Sequence, residues 1–406
     1  MSGAQRDSPG AGRRLVANVV LDGRIGGPQR RIAQVGKRLR VKGWDTLAVF
    51  PNMGDELPKF LDSHGIKYET SALSRIRRRQ PVFNLMRYCV RLPLEVVWLI
   101  ALFRRRHVDI VHANGLFSLQ AALAARLSGR PLIWHFNDMS LPAWLSAGAR
   151  RLFGGLAHYR VYSSRLVMTH YGDWDGARTA LFYPPVDLET FDPARISEGN
   201  DSGIPVLDRR GEEFLLLALG HINPLKGYGD LLSALEPLVT LAVAWRLVIV
   251  GAPLETNREY FDALNAQVRD LGLEKRVTFA GATQRIPEVL AACDAVVMCS
   301  VAESGPMVVL EALAMGKPVV ATAVGIVPEI YRDGDEGEIL VVPPRNPERL
   351  SLALKRAIED DSLRQENGES GRRQLVARYS VDRAANEHMR VYDQSVTTAA
   401  DRVKSG

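Results

Sequence analysis

The sequence predicts an α/β protein that consists of two doubly wound parallel sheets. Apolar strands alternate with amphipathic helices over residues 14–183, and this alternation is typical of a parallel sheet that carries helices on both faces. Residues 184–211 interrupt it, because they are rich in Pro, Asp, Ser and Gly and lack periodicity. The alternation then begins again. A chain of 406 residues is long enough for two domains of this kind.

The elements of the first half follow in order from short apolar runs separated by glycine-containing breaks. Runs of about four to eight apolar residues indicate buried strands, and longer amphipathic segments indicate helices. The predicted strands are residues 14–21, 45–50, 108–113, 131–135, 161–164 and 180–183, and the predicted helices are residues 29–42 and 116–127.

The second half continues the same alternation without a sustained sequence repeat. Its predicted strands are residues 214–219, 245–250, 277–280, 295–299, 318–324 and 339–342. Its predicted helices are residues 227–238, 259–271, 286–292, 306–315, 348–359, 362–376 and 379–392. The expected organisation is a first domain at residues 13–185, a connection at 186–212, a second domain at 213–378 and a C-terminal helix at 379–396.

Composition and cysteine usage indicate an ordinary soluble protein of a reducing compartment. Apolar residues make up 46% of the chain and charged residues 24%, which is usual for such proteins. Cys89, Cys293 and Cys299 are too few and too scattered for a disulfide framework or a zinc site, and we expect the last two in the core. Residues 1–12 are polar and contain no signal-peptide run, so we expect a disordered lead-in and a cytoplasmic protein.

Two arginine clusters flank an apolar run at residues 92–103, within a net charge of +6. The clusters are Arg75, Arg77, Arg78 and Arg79 before the run and Arg104, Arg105 and Arg106 after it. The run is too short to span a bilayer and contains Glu95. It is either a core helix with solvated ends or a peripheral surface for anionic lipid on the inner membrane face. A nucleic-acid partner is not expected, because no aromatic residues interleave with the basic ones.

The strongest functional signal is the pair Glu303 and Glu311, eight residues apart. The apolar run 295–299 predicts a strand that ends before Gly305, and Pro306 suits the first position of the next helix. Glu303 therefore lies at the carboxyl edge of a parallel strand, where open α/β sheets bind ligands. The N–H groups that open the helix suit a phosphate.

This block resembles the E-x7-E signature of glycosyltransferase family 4, the glycosyl transferases group 1. These retaining enzymes have the GT-B fold, in which two Rossmann-like domains face each other across a cleft. The resemblance implies that Glu303 is catalytic beside the donor sugar and that Glu311 holds the ribose hydroxyls. Gly305 and the N–H groups of Met307 and Val308 would bind the rest of the nucleotide-sugar donor. It also implies that the C-terminal helix crosses back onto the first domain.

A second motif, residues 220–227, resembles the G-R-x-x-x-x-K-G of the family, in which Arg and Lys bind the donor diphosphate. Lys226 matches and would neutralise the leaving group, most of all in the transition state. His221 stands where the family has Arg. Its side chain is shorter than that of Arg and only partly charged, and it would take the donor-binding role there. Three consequences of this departure stay open: the donor binds more weakly, a different cation from elsewhere replaces the arginine, or the enzyme is degenerate.

The first half supplies further candidates. Gly26 and Gly27 lie in a loop that resembles the Gly-Gly loop of the family, where backbone approaches the donor, and Arg30 follows as an acceptor candidate. His135 ends a strand; the resemblance implies that it is catalytic near the donor sugar, and the alternative is a structural histidine. Asp138 is a candidate contact to acceptor hydroxyls.

No His, Asp or Glu set has metal-ligand spacing and no D-x-D motif occurs, so neither a metal nor another cofactor is expected. Gly325 to Glu329 resembles G-G-x-P-E with Ile326 at the second glycine, and Glu329 is expected to be structural.

The predicted function is metal-independent, retaining transfer of a hexose or N-acetylhexosamine from a nucleotide-diphosphate sugar to a sugar or lipid-linked acceptor, in polysaccharide or glycolipid synthesis. The donor would belong to the second domain and the acceptor to the first. Two alternatives stay open: a GT-B sugar-nucleotide epimerase, and a non-catalytic paralogue that binds a nucleotide sugar.

Overall fold

The computed structural model describes residues 12–75, 82–137, 155–172, 178–196, 211–303, 305–330 and 340–405, with Met139, Ser146, Gly148 and Leu207. The chain forms two compact units. The first unit ends at Pro185 and resumes at Val381, and the second runs from Val186 to Ser380.

The first unit contains a sheet of seven described strands, all paired in parallel. The strands are β1 (Arg14–Val20), β2 (Trp44–Pro51), β3 (Lys67–Ser71), β4 (Ile110–Asn114), β5 (Leu132–Phe136), β6 (Tyr159–Tyr162) and β7 (Thr179–Leu181). Their order across the sheet is β3-β2-β1-β4-β5-β6-β7. The strand order reverses between β1 and β4, and such a switch point leaves a crevice at the carboxyl ends of both strands.

Helices cover both faces of this sheet. The helices before the second unit are α1 (Gly27–Val41), α2 (Glu56–Ser63), α3 (Val82–Arg105), α4 (Leu119–Leu127) and α5 (Arg165–His170). Buried residues of α3 and α4 pack on one face, and those of α1 and α2 pack on the other. The first unit is therefore doubly wound, as expected for parallel strands joined by helices.

The second unit repeats this architecture with six described parallel strands in the order β10-β9-β8-β11-β12-β13. These are β8 (Phe214–Leu219), β9 (Trp245–Val250), β10 (Val277–Gly281), β11 (Ala295–Met298), β12 (Val319–Thr322) and β13 (Val341–Val342). The helices are α6 (Tyr228–Leu235), α7 (Arg258–Asp270), α8 (Ile286–Ala292), α9 (Met307–Ala314), α10 (Val327–Ile330), α11 (Pro347–Glu359) and α12 (Asp361–Arg378). The switch point here lies between β8 and β11.

The last helix, α13 (Val381–Ser405), belongs to the first unit. Ala385, Val391 and Tyr392 are buried against residues of β1, β4 and α1. The C-terminal helix thus completes the core of the N-terminal sheet.

The structure differs from the predicted elements where packing overrides local pattern. Strand β3 and helix α2 were not predicted, because the strand is half exposed at the sheet edge and the helix is only eight residues long. The predicted helix 227–238 is an α-helix only to Leu235, after which a 3₁₀ helix follows at Glu236–Thr240. Cys293 and Cys299 are buried, as expected.

The apolar run at residues 92–103 lies within α3, and only part of it is core. Val96, Leu99, Leu102 and Phe103 are buried, whereas Leu94 and its neighbours on the opposite face are exposed. Arg77, Arg78 and Arg79 lie outside the described residues. Of the helices that the structure describes, none has the combined length and apolarity that a membrane crossing requires.

Candidate functional site

The candidate site in the second unit lies where β8 and β11 end side by side. Because the strand order reverses between them, the loops that follow these two strands meet at the carboxyl edge of the sheet. The two loops are residues 220–227, after β8, and residues 299–305, after β11. Both carry sequence-predicted site residues.

Hydrogen bonds lock the first loop against the second. Asn223 accepts a hydrogen bond from the backbone N–H of Leu225 at 3.0 Å and starts the 3₁₀ turn Pro224–Lys226. The backbone N–H of Val301 donates to the carbonyl of Leu225 at 2.8 Å, and the thiol of Cys299 donates to the carbonyl of Lys226 at 3.1 Å. The backbone beneath Lys226 is therefore held from both sides.

Glycines make this close approach of backbones possible. Gly227 has φ +69°, and a Cβ atom there would lie 2.1 Å from the carbonyl oxygen of Cys299. A Cβ at Gly251, just after β9, would lie 1.9 Å from the carbonyl oxygen of Gly220. Real Cβ atoms do not approach backbone oxygens this closely, so both positions require glycine. The role of Gly251 was not predicted, although a glycine directly after a strand is a signal for close backbone approach.

The two predicted catalytic residues of this unit form an ion pair. Lys226 Nζ lies 2.5 Å from Glu303 Oε1, and the two side chains are 23% and 22% exposed. The aliphatic end of Lys226 passes over Gly220, whose φ of +141° and missing side chain leave it room. Tyr228 donates a hydrogen bond to the carbonyl of Gly220 at 3.1 Å, and burial raises the pKa of its hydroxyl. A partly exposed cation is thus positioned at the sheet edge with a carboxylate beside it.

Helix α9 begins directly after Glu303 and Gly305. Its first residues are Met307 and Val308, and its N-cap, Pro306, provides no side-chain hydrogen bond. The first N–H groups of a helix have no partner within the helix, and they carry the positive end of its dipole. Glu311, half-buried, lies one turn further along the same helix. An anion held by Lys226 would suit this helix end as well.

His221 is exposed and follows Gly220 on the first loop. Asn223 donates a hydrogen bond to the backbone carbonyl oxygen of His221 at 3.3 Å. Ile326, which replaces a family glycine, is fully buried, and Gly325 before it has φ +58°. The carbonyl of Glu329 accepts a hydrogen bond from Arg378 at 2.6 Å, so its backbone has a structural contact.

In the first unit, Gly26 and Gly27 lie at the start of α1, after β1. A Cβ at Gly27 would meet no atom within 4 Å among the described residues, so packing in this unit does not demand glycine there. Arg30 is exposed on α1, with its guanidinium 6.0 Å from the ring centroid of Phe60. Asp138 lies outside the described residues.

His135 lies on β5 as predicted, but its side chain is only 1% exposed. Its Nδ1 is 3.2 Å from Nε2 of His112 on β4, and its buried Nε2 has no hydrogen-bond partner among the described residues. The ring packs against the rings of His112 and Phe182, at centroid distances of 5.4 Å and 5.7 Å, rather than facing open solvent. A direct contact with a ligand requires the surroundings of this ring to move.

Sequence reasoning missed the buried polar cluster around His135. The guanidinium of Arg31 on α1 donates to Nε2 of His388 at 2.8 Å and to the side-chain oxygen of Asn114. His388 in turn donates from Nδ1 to the carbonyl of Ala384 at 2.7 Å, so its Nε2 is the acceptor. Burial lowers the pKa of Arg31 to about 10.

We call His112, His135 and His388 the histidine cluster. All three are buried, and their pKa values lie well below the usual 6.5 because of burial, with the charge of Arg31 adding to the effect. No sequence motif connects these residues, since they come from two strands and the C-terminal helix.

In the described parts of the chain, no three His, Cys, Asp or Glu side chains come together as a metal site. The second unit offers a lysine and a helix N-terminus for an anionic ligand.

Comparison with known proteins gives the family. The family model described as glycosyl transferases group 1 matches residues 202–374, and that of glycosyltransferase family 4 matches residues 25–190. A D-inositol 3-phosphate glycosyltransferase of a Nocardioides species is 30% identical over 317 residues, which cover 70% of this chain and 67% of the relative. Another, from Mycobacterium marinum, is 32% identical over 228 residues, 56% of this chain and 44% of the relative. The chain thus spans less than half of that longer protein.

Solved structures show the same fold at lower identity. A glycosyltransferase from Rickettsia africae has a TM-score of 0.80 at 18% identity, covering 95% of this chain and 99% of its own. HepE of Anabaena, in complex with UDP, has a TM-score of 0.74 at 23% identity, covering 96% of this chain and 100% of its own. The chain therefore belongs to glycosyltransferase family 4, with the two Rossmann-like domains of the GT-B fold.

Proposed function

We propose that this chain is a retaining glycosyltransferase that moves a sugar from a nucleotide-diphosphate donor to an acceptor hydroxyl. The observation that carries the proposal is the Lys226–Glu303 ion pair at the switch point of the second sheet. Glu303 lies on the loop that leads into the N-terminus of α9. The relatives named as glycosyltransferases support the same reaction class. Transfer to an acceptor would serve polysaccharide or glycolipid synthesis in the cytoplasm.

In this proposal, the second unit stabilises the leaving nucleoside diphosphate. Negative charge grows on the diphosphate as the glycosidic bond breaks, and Lys226 Nζ supplies a positioned cation for it. The N–H groups of Met307 and Val308 add the positive end of the α9 dipole. A lysine and helix amides that do this together take the place of a divalent metal, so we propose metal-independent transfer.

The two glutamates divide the remaining donor contacts. Glu303, which holds Lys226 in place, lies beside the transferred sugar, and Glu311 accepts hydrogen bonds from the ribose hydroxyls. His221, exposed on the loop that carries Lys226, contributes a hydrogen bond to the diphosphate. His135 acts indirectly, by positioning the carboxyl end of β5, because its ring is buried and bonded to His112.

Lys226→Ala tests the diphosphate contact. We expect turnover to fall by roughly two to three orders of magnitude, because one positioned charge contact in the transition state is worth about 2.7–4 kcal/mol. Lys355→Ala is the matched control, since that lysine lies on α11 of the same unit and forms an exposed ion pair with Glu359 at 4.0 Å. Near-normal turnover of a folded Lys226→Ala protein would remove the phosphate role.

Thermal denaturation with candidate donors identifies the nucleotide. UDP and UDP-glucose come first, because HepE was solved with both. A ligand at about 100 times its Kd should stabilise the protein by about 2.7 kcal/mol, and EDTA should leave both this shift and the turnover unchanged. Donor turnover without an acceptor would instead indicate an epimerase, and donor binding without any turnover would indicate a non-catalytic paralogue.

A further inference from the structure

A cavity of about 840 Å³ lies at the carboxyl ends of β1, β2 and β3 in the first unit. Asp22 lines it just after β1, Asn52 just after β2 and Ser74 beyond β3. Helix α3 closes it with the side chains of Asn84, Arg87, Tyr88 and Arg91. Ligands of open α/β sheets bind at the carboxyl edge of the strands, and the cavity lies at that edge, beside the switch point between β1 and β4.

The cavity is strongly basic. Its lining holds four arginines, Arg24, Arg75, Arg87 and Arg91, and one carboxylate, Asp22. Asp22 accepts hydrogen bonds from both Arg24 and Arg75, and although burial acts against it, these contacts lower the pKa of Asp22 to about 2. Arg87 is exposed on α3 and belongs to the same lining. Four guanidiniums against two carboxylates, Asp22 in the lining and Glu95 beside Arg91, leave an excess of positive charge that suits an anion.

Arg91 is oriented toward the cavity by the surrounding backbone. It donates a hydrogen bond to the carbonyl of Ala72 at 2.5 Å and lies 3.6 Å from Glu95. The carboxylate of Glu95 is buried and already accepts hydrogen bonds from the backbone N–H of Ser74, at 3.0 Å, and from Gln120, at 3.2 Å. The charge of the Glu95 carboxylate is therefore partly satisfied by these two donors, and the guanidinium of Arg91 can still bind a ligand.

The outer face of the same helix is apolar and exposed. We call this face the apolar stripe: Phe83, Met86, Val90, Leu94 and Val97. Each is between 63% and 73% exposed, and their spacing of three or four residues places them on one side of α3. Arg104 and Arg105, also exposed, end the helix. An exposed apolar stripe beside basic groups is typical of a helix that lies on an anionic membrane surface.

We propose that the apolar stripe rests in the lipid interface and that the basic cavity receives the phosphate-bearing headgroup of a lipid-linked acceptor. The charge of the cavity selects the headgroup, since guanidinium groups bind phosphate through paired hydrogen bonds. The apolar stripe favours a lipid over a soluble phosphate as the ligand, because a soluble phosphate would leave the stripe without a partner. That this lipid is the acceptor rests on the proposed function; the membrane contact itself does not.

Vesicle flotation of the full chain tests the membrane contact. Wild type should float with vesicles that contain phosphatidylglycerol and not with phosphatidylcholine alone, and salt should weaken the binding. Val90→Glu and Leu94→Glu should each lower partitioning by about tenfold or more, because each removes an apolar side chain from the interface. Arg87→Glu should lower it by roughly fivefold or more. Val41→Glu, at an 88% exposed position on α1, is the control that should float like wild type.

Two other results would overturn the proposal. Wild type that stays soluble with anionic vesicles would remove the lipid contact. Binding of a soluble phosphate ester, glycerol 3-phosphate, that Arg87→Glu abolishes and the stripe variants leave intact, with no flotation, would assign the cavity to a soluble acceptor. Nucleotide binding is measured on every variant. If wild type binds UDP but does not float, the membrane contact is refuted and the proposed donor site is not. If wild type floats but does not bind UDP, the proposed donor site is refuted instead.

Discussion

Replacing Gly227 with alanine measures how firmly the loop that carries Lys226 is constrained. Gly227 lies between that lysine and helix α6, in the left-handed region at φ +69°. An alanine Cβ would lie 2.1 Å from the carbonyl oxygen of Cys299 and 3.1 Å from its carbonyl carbon. Both are backbone atoms at the end of a central strand, so neither can rotate away as a side chain would.

The expected destabilisation has two parts. A residue with a Cβ in the left-handed region costs about 1–2 kcal/mol, and forcing extra volume into a packed site costs typically about 1–3 kcal/mol more. Gly227→Ala should therefore lower the free energy of unfolding by roughly 2–5 kcal/mol. Gly272→Ala is the matched control, because Gly272 has φ +63° but a Cβ there would meet no atom within 4 Å among the described residues. It should cost only the first part.

Urea denaturation of the two variants isolates the steric part. The gain from reducing the conformational freedom of the unfolded chain is the same for any Gly→Ala change and cancels in the difference. Gly227→Ala should be less stable than Gly272→Ala by about 1–3 kcal/mol and should also bind UDP less tightly, because the Lys226 backbone must shift. Equal stability and equal UDP affinity of the two variants would refute the claim that this loop is locked against β11.

Three further outcomes are expected. Glu311→Gln should raise the donor KM more than it lowers kcat, because a ribose contact is made equally in ground and transition states. Glu303→Gln should mainly lower kcat. Steady-state kinetics that show the reverse pattern would exchange the two roles. His221→Arg should retain or increase donor affinity by calorimetry, since guanidinium grips phosphate through two bonds; loss of binding would exclude a phosphate contact there. Stability should fall as pH drops below about 6.5, by up to about 1.4 kcal/mol per pH unit for each member of the histidine cluster.

The sign of that pH dependence follows from where protons bind. The unfolded chain protonates its histidines near pH 6.5, but in the folded protein burial and the charge of Arg31 lower the pKa values of the histidine cluster. The unfolded state therefore binds more protons as pH falls, and the stabilisation present above pH 6.5 is lost below it. Denaturation curves at pH 7.5, 6.5 and 5.5 measure the effect, and identical midpoints would show that these histidines titrate normally in the fold.

The strands that the sequence predicted best are those with both faces covered. Strands β8 and β9 are buried at every position, and their sequences are apolar throughout except for Arg246 on β9, which pairs with Glu213. Strand β3 is half exposed at the sheet edge, and its polar sequence forms a strand because β2 offers a parallel register from Leu47 to Pro51. Helix α3 was predicted only where it is most apolar. The structure shows which face of α3 packs on the sheet, and this identifies the apolar stripe on the opposite, exposed face.

By itself, the sequence predicted the candidate donor-site residues, because Lys226, Glu303 and Glu311 each stand in a local motif that follows a strand end. Only the tertiary structure decided that Lys226 and Glu303, 77 residues apart, form an ion pair, since the order of β8 and β11 in the sheet brings their loops together. The same holds for Arg31 and the histidine cluster. A buried cation among neutral partners leaves no pattern along the chain, because its environment is assembled from strands and helices that are distant in sequence.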